Sequence, residues 1–329
     1  MSYLFAAGKI RSLEKKLLSQ NDLDLMLNSK NAEESFKVFN DTDLADNLLK
    51  ADAKDFAKVI SDDLIQNRKF IEDIAGDKKI LKLIFLKYDF HNIKVFLKGK
   101  ANKGIFSKNS ISLFGIVKNE DLEKRIIKND KKIRFDEDFT VSLENIQKRI
   151  KNPASPQEID TICDQEYFNL LLKIAESLKN SFILNFCKLQ VDLANFKILL
   201  RGRLMKYEPG KISSVFIEGG NIIINKFLSL YKMTDSEIIN FLRLSLRPSE
   251  EILFDDYFKE KKLWQFEKAF GNLLVNYLEK AKWISCGPEL VFAFAFSKYN
   301  SLNNIRLTMV GKWNEIETDE IKKRLRKIL

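Results

Sequence analysis

The chain has 329 residues, which at about 150 residues per domain corresponds to two domains or to three smaller ones. Apolar residues make up 45% of it and charged residues 31%, and this balance excludes a disordered or fibrous chain. Because only 5 prolines and 12 glycines interrupt the sequence, long uninterrupted helices can form. The composition therefore favours an all-α fold.

The charge balance is basic, with 56 Lys and Arg against 46 Asp and Glu and a net charge of +10. This balance is compatible with nucleic acid, an anionic membrane surface or acidic proteins as partners, and it does not choose among them. Most charges alternate in sign, as in Lys54-Asp55, which is typical of a solvated helical surface. Residues 322–327 are net basic and predict a cationic last helical turn.

The common motifs of enzyme chemistry are missing from the sequence. His91 is the single histidine, which excludes multi-histidine zinc sites, and there is no G-x-S-x-G elbow, Walker-type loop or GxGxxG segment. The carboxylate pairs Asp62-Asp63 and Asp255-Asp256 are more typical of a solvated helix face than of a catalytic pair. We therefore expect no catalytic, cofactor-binding or metal-binding residues.

The cysteines and the apolar runs indicate in which cellular compartment the protein is expected. Cys163, Cys187 and Cys286 form no CxxC pair, and we expect them to be reduced core thiols of a cytoplasmic protein. The short apolar stretch at residues 3–7 precedes basic residues, the reverse of the order in a signal peptide. The apolar run at residues 290–296 is far shorter than the roughly 20 residues that a membrane-spanning helix needs.

Apolar spacing and capping residues predict helices along most of the chain. In chain order these signals are a helix over residues 8–20 with a break at 19–22, a helix capped by residues 41–43, a loop at 152–156 before a helix from about Gln157, and a helix start at 247–251 with Ser249 as its cap. Residues 215–224, around Gly219-Gly220, also admit a hairpin. A turn followed by a helix over residues 221–231 is favoured there.

One twelve-residue pattern occurs three times, at residues 89–100, 192–203 and 301–312. Each copy has an Asn, a Lys or Arg two residues later, a Gly seven residues later and another Lys or Arg eight residues later. The named positions are Asp89, Asn92, Lys94 and Gly99 in the first copy, Asp192, Asn195, Lys197 and Gly202 in the second, and Asn304, Arg306 and Gly311 in the third. Four matched positions in three places are hard to attribute to chance. The sequence therefore predicts three homologous helical units, over residues 1–108, 109–208 and 209–329.

Helix geometry gives the repeated pattern a structural interpretation. Residues seven apart lie nearly two turns apart, so each Asn shares a helix face with its Gly. In the first copy that face also carries Phe85 and Phe96, and we expect it to be buried. A buried Asn must pair its amide and thereby orients the elements that it joins. The pattern is expected to be a packing feature rather than a ligand site.

The glycine and the basic residues allow further interpretations. The glycine can admit a neighbouring element or end its own helix as a C′ residue, and the sequence after Gly99 favours the helix end. Lys94 and Lys98 are i, i+4 neighbours on another face of the helix, as are Lys197 and Arg201. In the third copy Val310 stands where a basic residue is expected, so a threefold basic ring would be incomplete.

At these residues the sequence resembles the C/d family of subunits of the rotary V-type and A-type ATPases, over essentially its whole length. The marks that carry the resemblance are the three D-x-x-N-[IF]-K-like copies, the opening Ala-Gly-Lys-Ile-Arg segment at residues 7–11, the Asp41-Thr42 step, Gly219-Gly220, and the closing Asn-Ile-Arg and Gly-Lys at residues 304–306 and 311–312. Ser301 in place of Asp and Val310 in place of a basic residue depart from the family pattern. They put exact symmetry in doubt, and not membership.

The resemblance implies three similar helical bundles arranged as a funnel with approximate threefold symmetry. It implies a noncatalytic central-stalk rotor subunit on the cytoplasmic face of the membrane, without cofactors. The implied partners are the central-shaft subunits of the catalytic head, the proteolipid rotor ring and the nearby membrane face. Torque passed between shaft and ring would couple ATP hydrolysis or synthesis to proton or sodium transport.

The residues themselves are compatible with this role and leave two alternatives open. A torque adapter needs a stiff helical body and two broad partner surfaces, and exposed aromatic residues such as Phe106, Phe114 or Phe292 could contact the ring. The alternatives are a basic helical repeat protein that binds nucleic acid and a helical scaffold for acidic proteins. The first would place Lys and Arg on one face and bind with strong salt dependence. The triplicated Asn-to-Gly helix is required by neither, and no nucleic-acid partner is expected.

Overall fold

The structure is a computed structural model that describes residues 3–45, 51–102, 105–150, 154–246 and 254–328. Within these ranges every regular element is an α-helix or a short 3₁₀ helix. The all-α prediction is therefore confirmed.

The chain divides into two compact units, with Met1–Ile80 and Asp235–Leu329 in unit 1 and Leu81–Thr234 in unit 2. The first four helices belong to unit 1: α1 (Tyr3–Glu14), α2 (Gln20–Asn28), α3 (Ala32–Lys37) and α4 (Phe56–Ile74). The next seven form unit 2, apart from the first residues of α5: α5 (Lys78–Ala101), α6 (Asn119–Ile126), α7 (Glu137–Arg149), α8 (Pro156–Ser177), α9 (Ser181–Leu204), α10 (Pro209–Val215) and α11 (Ile224–Tyr231). The last five complete unit 1: α12 (Asp235–Leu246), α13 (Asp255–Glu260), α14 (Leu263–Glu279), α15 (Pro288–Trp313) and α16 (Thr318–Arg324).

The three copies of the repeated pattern lie on the three long helices α5, α9 and α15. The first two copies are in unit 2 and the third is in unit 1. The division of the chain into three homologous units stays a prediction.

Unit 1 is built around α15, which packs against α1, α2, α3, α4, α14 and α16. The helix buries residues on all sides, including Val291, Phe292, Ile305 and Met309. A helix that is apolar all round belongs in the middle of a domain, and for this reason residues 290–296 form a core segment.

A buried charge cluster lies on one side of α15. The ammonium group of Lys298 forms ion pairs with Asp43 and with Asp63, at 3.0 Å for the second, and both Lys298 and Asp63 are less than 5% exposed. The expected solvated position of Asp62-Asp63 is therefore wrong for Asp63. Burial is the main cause that raises the pKa of the Asp63 carboxyl to about 6, Lys298 opposes the shift, and Asp43 adds to it. For the other pair, Asp256 is exposed.

Unit 2 is held together by α8, which packs between α7 and α9. The ring of Phe90 on α5 meets the rings of Phe139 on α7 and Tyr167 on α8, with centroids 6.1 and 5.6 Å apart. Cys163 and Cys187 lie in this core as free thiols, and burial raises the pKa of each to about 12. The prediction of a core position is wrong for Cys286 in unit 1, which is exposed.

Helix boundaries follow local capping groups. The side chain of Ser19 accepts a hydrogen bond from the backbone of Asp22 in a capping box and starts α2, so the predicted helix over residues 8–20 ends early, at Glu14. Ser155 caps α8 at the predicted start. No strand forms over residues 215–224, where bends lead into α11. The favoured helix therefore forms, but it begins at Ile224 rather than at residue 221. The remainder of the loop at 152–156, the helix after residues 41–43 and the start at 247–251 reach residues outside the described ranges.

Among the described helices, none combines the length and the apolar character that crossing a membrane requires.

Stability should depend on pH through Asp63. Because its pKa is about 6 when folded and about 3.9 in an unfolded chain, the folded state binds this proton more tightly. The free energy of unfolding of the wild type, relative to Asp63→Asn, should then fall as pH rises from about 4 to about 6, by up to about 3 kcal/mol. Urea unfolding at several pH values measures it.

Asp62→Asn is the matched control, since Asp62 lies beside Asp63 on α4 and is only half-buried. Its free energy of unfolding should run parallel to that of the wild type over the same pH range. Equal pH profiles for the wild type and Asp63→Asn would contradict the raised pKa.

Candidate functional site

Each of the three repeat helices holds a later segment of the chain through its buried asparagine. In the first copy the Nδ2 of Asn92 donates to the carbonyl oxygen of Ser112 at 2.9 Å, and the N–H of Ser112 donates to the Oδ1 of Asn92 at 2.8 Å. One side-chain amide thus satisfies both backbone groups of one residue. We call this two-bond arrangement the asparagine clamp.

The same clamp recurs in the other two copies. Asn195 exchanges hydrogen bonds of 2.7 and 2.8 Å with the backbone of Ile217. Asn304 exchanges bonds of 2.7 and 3.0 Å with the backbone of Arg326. The clamped residue follows its asparagine by 20 residues in the first copy and by 22 in the other two. All three asparagines are at most 2% exposed, so the equivalence predicted from the sequence extends to their contacts.

A carboxylate one turn before the asparagine provides a second anchor in two copies. Asp89 accepts hydrogen bonds from the backbone N–H groups of Ile116 and Val117 at 3.1 and 3.0 Å. Asp192 accepts them from Asn221 and Ile222 at 3.1 and 3.0 Å. Both carboxylates are 1% exposed, and burial raises the pKa of Asp192 while these hydrogen bonds oppose the rise.

The third copy has no equivalent of this anchor among the described residues. Ser301 takes the place of the aspartate, and its buried hydroxyl oxygen has no hydrogen-bond partner there. The asparagine clamp is thus common to all three copies, whereas the carboxylate anchor is confined to unit 2.

Two glycines outside the repeated pattern allow the carboxylates to approach. A Cβ atom on Gly115 would overlap Oδ1 of Asp89, and one on Gly220 would overlap Oδ1 of Asp192. Gly220 belongs to the Gly-Gly pair seen in the sequence. The part played by Gly115 could not be recognised, because its partner lies far from it along the chain.

The glycines of the repeated pattern lie inside their helices, so the prediction that Gly99 is a C′ residue is wrong. Gly99, Gly202 and Gly311 each come two residues before the last helical residue of α5, α9 and α15. A Cβ on Gly99 would lie 2.6 Å from Cδ1 of Phe106, and one on Gly311 would lie 2.5 Å from Cδ1 of Ile321. A Cβ on Gly202 would likewise overlap Ile212. Each glycine makes room for an apolar side chain of the returning segment.

Other residues end two of these helices. Lys206 and Glu315 have φ values of 52° and 53°. The N–H of the following residue reaches back to the carbonyl of Gly202 or Gly311, at 2.9 Å in both cases. This is the Schellman geometry with a side-chain-bearing residue at C′.

The basic residues of the first copy are used within unit 2. Lys94 pairs with Asp164 at 2.6 Å and Lys98 with Asp160 at 2.7 Å. The two lysines are one turn apart on α5 and the two carboxylates are one turn apart on α8, so the pairs form a ladder. In the other copies Lys197 is half-buried, and Arg201 and Arg306 are exposed.

The phenylalanines suggested as partner contacts are not fully exposed. Phe292 is 1% exposed in the core of unit 1, which excludes it as a surface contact. Phe106 and Phe114 are half-buried against Phe96 and Tyr88, with ring centroids 5.3 and 5.4 Å apart. Among the residues that the structure describes, the most exposed large apolar side chains are instead Trp283, Leu244, Ile223, Leu4, Ile105 and Leu113.

The clamps join an amide to peptide groups, and such an arrangement holds a segment in place. His91, the single histidine, contacts the carbonyl oxygen of Ser110 through Nε2 at 2.8 Å. Across the described ranges, no three or more His, Cys, Asp or Glu side chains are grouped so as to hold a metal ion.

Comparison with known proteins gives one family over almost the whole chain. Residues 6–324 match the family described as ATP synthase (C/AC39) subunit. The chain is similar to the C subunit of the V-type sodium ATPase of Enterococcus hirae, with 22% identity over 97% of this chain and 96% of that protein. It is also similar to the C subunits of the A-type ATP synthases of Methanocaldococcus jannaschii, at 24% identity over 97% and 85% of the two chains, and of Thermococcus kodakarensis, at 21% over 83% and 76%.

Replacing the second clamp asparagine should destabilise unit 2. Asn195→Leu removes both hydrogen bonds to Ile217, which is itself buried. Leaving a backbone donor and an acceptor without partners should lower the free energy of unfolding by about 2–4 kcal/mol. Urea unfolding measures the loss, and faster hydrogen exchange at the Ile217 amide should accompany it.

Asn225→Leu is the matched control, because Asn225 is exposed on α11 of the same unit. It should change the free energy of unfolding by no more than about 0.5 kcal/mol. If Asn195→Leu behaved like this control, the clamp would not contribute to stability.

Alanine at the repeated glycine should be unfavourable in spite of its helix propensity. Gly311→Ala gains about 1 kcal/mol of propensity, but the new Cβ overlaps two side-chain carbons of Ile321, at 2.5 and 2.6 Å. Overpacking of this kind costs about 1–3 kcal/mol, so we expect a net loss of about 1 kcal/mol in thermal or urea unfolding.

Gly8→Ala is the matched control, since Gly8 lies within α1 and a Cβ there meets no atom within 4 Å. That variant should gain up to about 1 kcal/mol. Equal stabilisation by both substitutions would show that the glycine is not needed for close approach.

Proposed function

The chain belongs to the ATP synthase (C/AC39) subunit family of rotary ATPase subunits, and on this premise we propose that it is the noncatalytic central-stalk rotor subunit of a V/A-type ATPase. In this role it links the central shaft of the catalytic head to the proteolipid rotor ring of the membrane sector. Torque passing through it couples ATP hydrolysis or synthesis to proton or sodium transport.

The observation that carries the proposal is the match over residues 6–324. One relative, the C subunit of a V-type sodium ATPase, is covered over 96% of its own length. The similarity therefore extends over nearly the full length of that relative rather than over one shared domain. The sodium specificity in that name belongs to the relative, and both ions remain within the proposal.

The clamps give the proposal a physical basis. A subunit that transmits torque must keep its shape under load, and each clamp fixes a segment 20 or 22 residues away to a long helix. Displacing such a segment within the closed interior would leave a buried amide and two peptide groups without partners, at about 1–3 kcal/mol for each unpaired group. This resistance to deformation suits a mechanical adapter.

The recurrence of the clamp also supports three homologous units over residues 1–108, 109–208 and 209–329. Each of these units contributes one clamp asparagine, and the residues that Asn92 and Asn195 hold, Ser112 and Ile217, follow shortly after the ends of their units at 108 and 208. We propose that these units form the three bundles of a funnel with approximate threefold symmetry. The wide body would sit on the ring, and its cavity would receive the end of the shaft.

Two surface properties support the proposal that the chain binds its partners at the cytoplasmic side of the membrane. Trp283 is 91% exposed, and tryptophan is one of the side chains enriched at the energetic centres of protein interfaces. The net charge of +10 suits nearby anionic headgroups, where each Lys or Arg close to the surface gains about 1 kcal/mol. The proposed location is peripheral, as part of a membrane complex.

Nucleic-acid binding has less support from the structure. A nucleic-acid-binding repeat would direct its basic positions outward, to neutralise phosphates. In the first copy Lys94 and Lys98 are instead paired with carboxylates of α8, at 2.6 and 2.7 Å. These lysines contribute to the packing of unit 2 and are not available as a basic stripe.

The adapter role predicts a ternary complex. The purified chain should co-migrate in detergent with the membrane ring and with the shaft subunits, separately and together, at about 0.15 M salt, where weak surface attractions are screened. Size-exclusion chromatography of the three components measures it. Binding to neither partner, together with retention on nucleic acid, would contradict the proposal.

Deleting this chain from the complex tests whether it couples ATP hydrolysis to ion transport. Removing the chain should leave ATP hydrolysis by the catalytic head but abolish ion transport driven by it, and the wild-type chain supplied in trans should restore transport. Ion uptake into vesicles, measured beside ATPase activity, separates the two. Coupled transport in a verified deletion would exclude the adapter role.

A further inference from the structure

A cavity of about 490 Å³ lies within unit 2, between the end of α5, the helices α6 and α7 and the start of α8. Its wall is strongly basic. The charged residues that line it are Lys100, Arg125, Lys131, Arg134 and Lys148, against one carboxylate, Glu144. The volume falls within the range of about 300–1,000 Å³ that is typical of small-molecule sites.

The central feature of this wall is a buried guanidinium that is only partly paired. Arg125 is 3% exposed, and its Nη2 donates to Oε1 of Glu144 at 3.2 Å. Its Nε and Nη1 are buried and have no hydrogen-bond partner among the described residues. Because a buried charge without full pairing is destabilising, the guanidinium of Arg125 requires a further hydrogen-bond acceptor.

The described residues around the cavity do not supply acceptors for Nε and Nη1 of Arg125. The Glu144 side chain is 46% exposed and lies at the long end of hydrogen-bond distance from Arg125. Lys100 donates to the carbonyl oxygen of Ile126 at 2.8 Å, which fixes its ammonium group beside the residue that follows Arg125. Lys131, Arg134 and Lys148 are exposed along the wall. Five cations therefore face one carboxylate around a single cavity.

We propose that this cavity binds a small anion bearing a phosphate group. The guanidinium fork matches the oxygens of phosphate, and five cations favour a group of charge near −2 over a single carboxylate. The same chemistry is offered by a soluble phosphate compound and by the headgroup of an anionic phospholipid, and the experiment separates the two sources. This inference does not depend on the proposed rotor function.

The soluble arm uses pyrophosphate and inorganic phosphate as probes in calorimetric titrations of the full chain at about 0.15 M KCl, where non-specific attraction is screened. We expect saturable binding of at least one probe. Lys131→Gln and Lys148→Gln should each weaken it by about fivefold or more, because each loss of a lining charge removes a favourable interaction with a divalent anion. Both lysines are exposed, so these variants should fold, whereas Arg125→Gln also breaks a buried ion pair.

Lys132→Gln and Lys124→Gln are the matched controls. Both residues are exposed neighbours of lining residues, carry the same charge and do not line the cavity. Their affinity for the probes should equal that of the wild type. If the controls lost as much affinity as Lys131→Gln and Lys148→Gln, binding would reflect net charge alone, and the site would be excluded.

The lipid arm uses flotation with vesicles of phosphatidylcholine, with and without phosphatidic acid. A lipid source predicts retention only on vesicles with phosphatidic acid, with retention lost in the combined variant Lys131→Gln/Lys148→Gln and kept in Lys132→Gln/Lys124→Gln. A soluble source predicts calorimetric binding without this difference between the vesicles. The absence of saturable binding to both soluble probes and to phosphatidic acid vesicles would overturn the proposal.

Discussion

A primary amide buried away from water needs partners for its donors and its acceptor, and this requirement organises each repeat of the molecule. Asn92, Asn195 and Asn304 are at most 2% exposed, and each pairs with the peptide groups of one later residue, with Asn92 also donating to Oδ1 of Asn119. An amide presents a donor and an acceptor side by side, as a peptide unit does, so it can pair with both the N–H and the C=O of one residue. The path of the chain after each long helix follows from this pairing.

The other repeated residues make that pairing sterically possible. A glycine inside a helix loses about 1 kcal/mol relative to alanine, and it is retained at three equivalent places where Phe106, Ile212 or Ile321 enters. In unit 2 the carboxylate one turn before the asparagine accepts hydrogen bonds from two further backbone N–H groups. The returning segment is therefore bound at several residues instead of one. The third copy has the asparagine and the glycine but no carboxylate. The asparagine clamp and the close packing at the glycine can therefore occur without the hydrogen bonds that Asp89 and Asp192 provide in unit 2.

The sequence allowed the helices and the burial of the asparagine face to be predicted, because these depend on local spacing, and it allowed the family to be named from a resemblance in its motifs. The function of the glycine was misread, since a helix end and a close approach both require glycine and local sequence does not distinguish them. The clamped residues could not be found, because Ser112, Ile217 and Arg326 share no side-chain type when only their backbone is recognised. The burial of Asp63 was missed for a related reason: its partner Lys298 lies on a distant helix that only the fold brings near.

The use of an amide in place of apolar packing has a mechanical consequence. Along an extended segment the N–H and C=O of one residue point to one side and those of the next residue point to the other. A slip of one residue would therefore break both hydrogen bonds of a clamp, whereas apolar side chains can slide against one another with little loss. The three clamps fix the position of three backbone segments against their helices. A force that shifts one of these segments must leave buried peptide groups without hydrogen-bond partners. Stiffness of this kind comes from the specificity of a few polar contacts within a largely apolar interior.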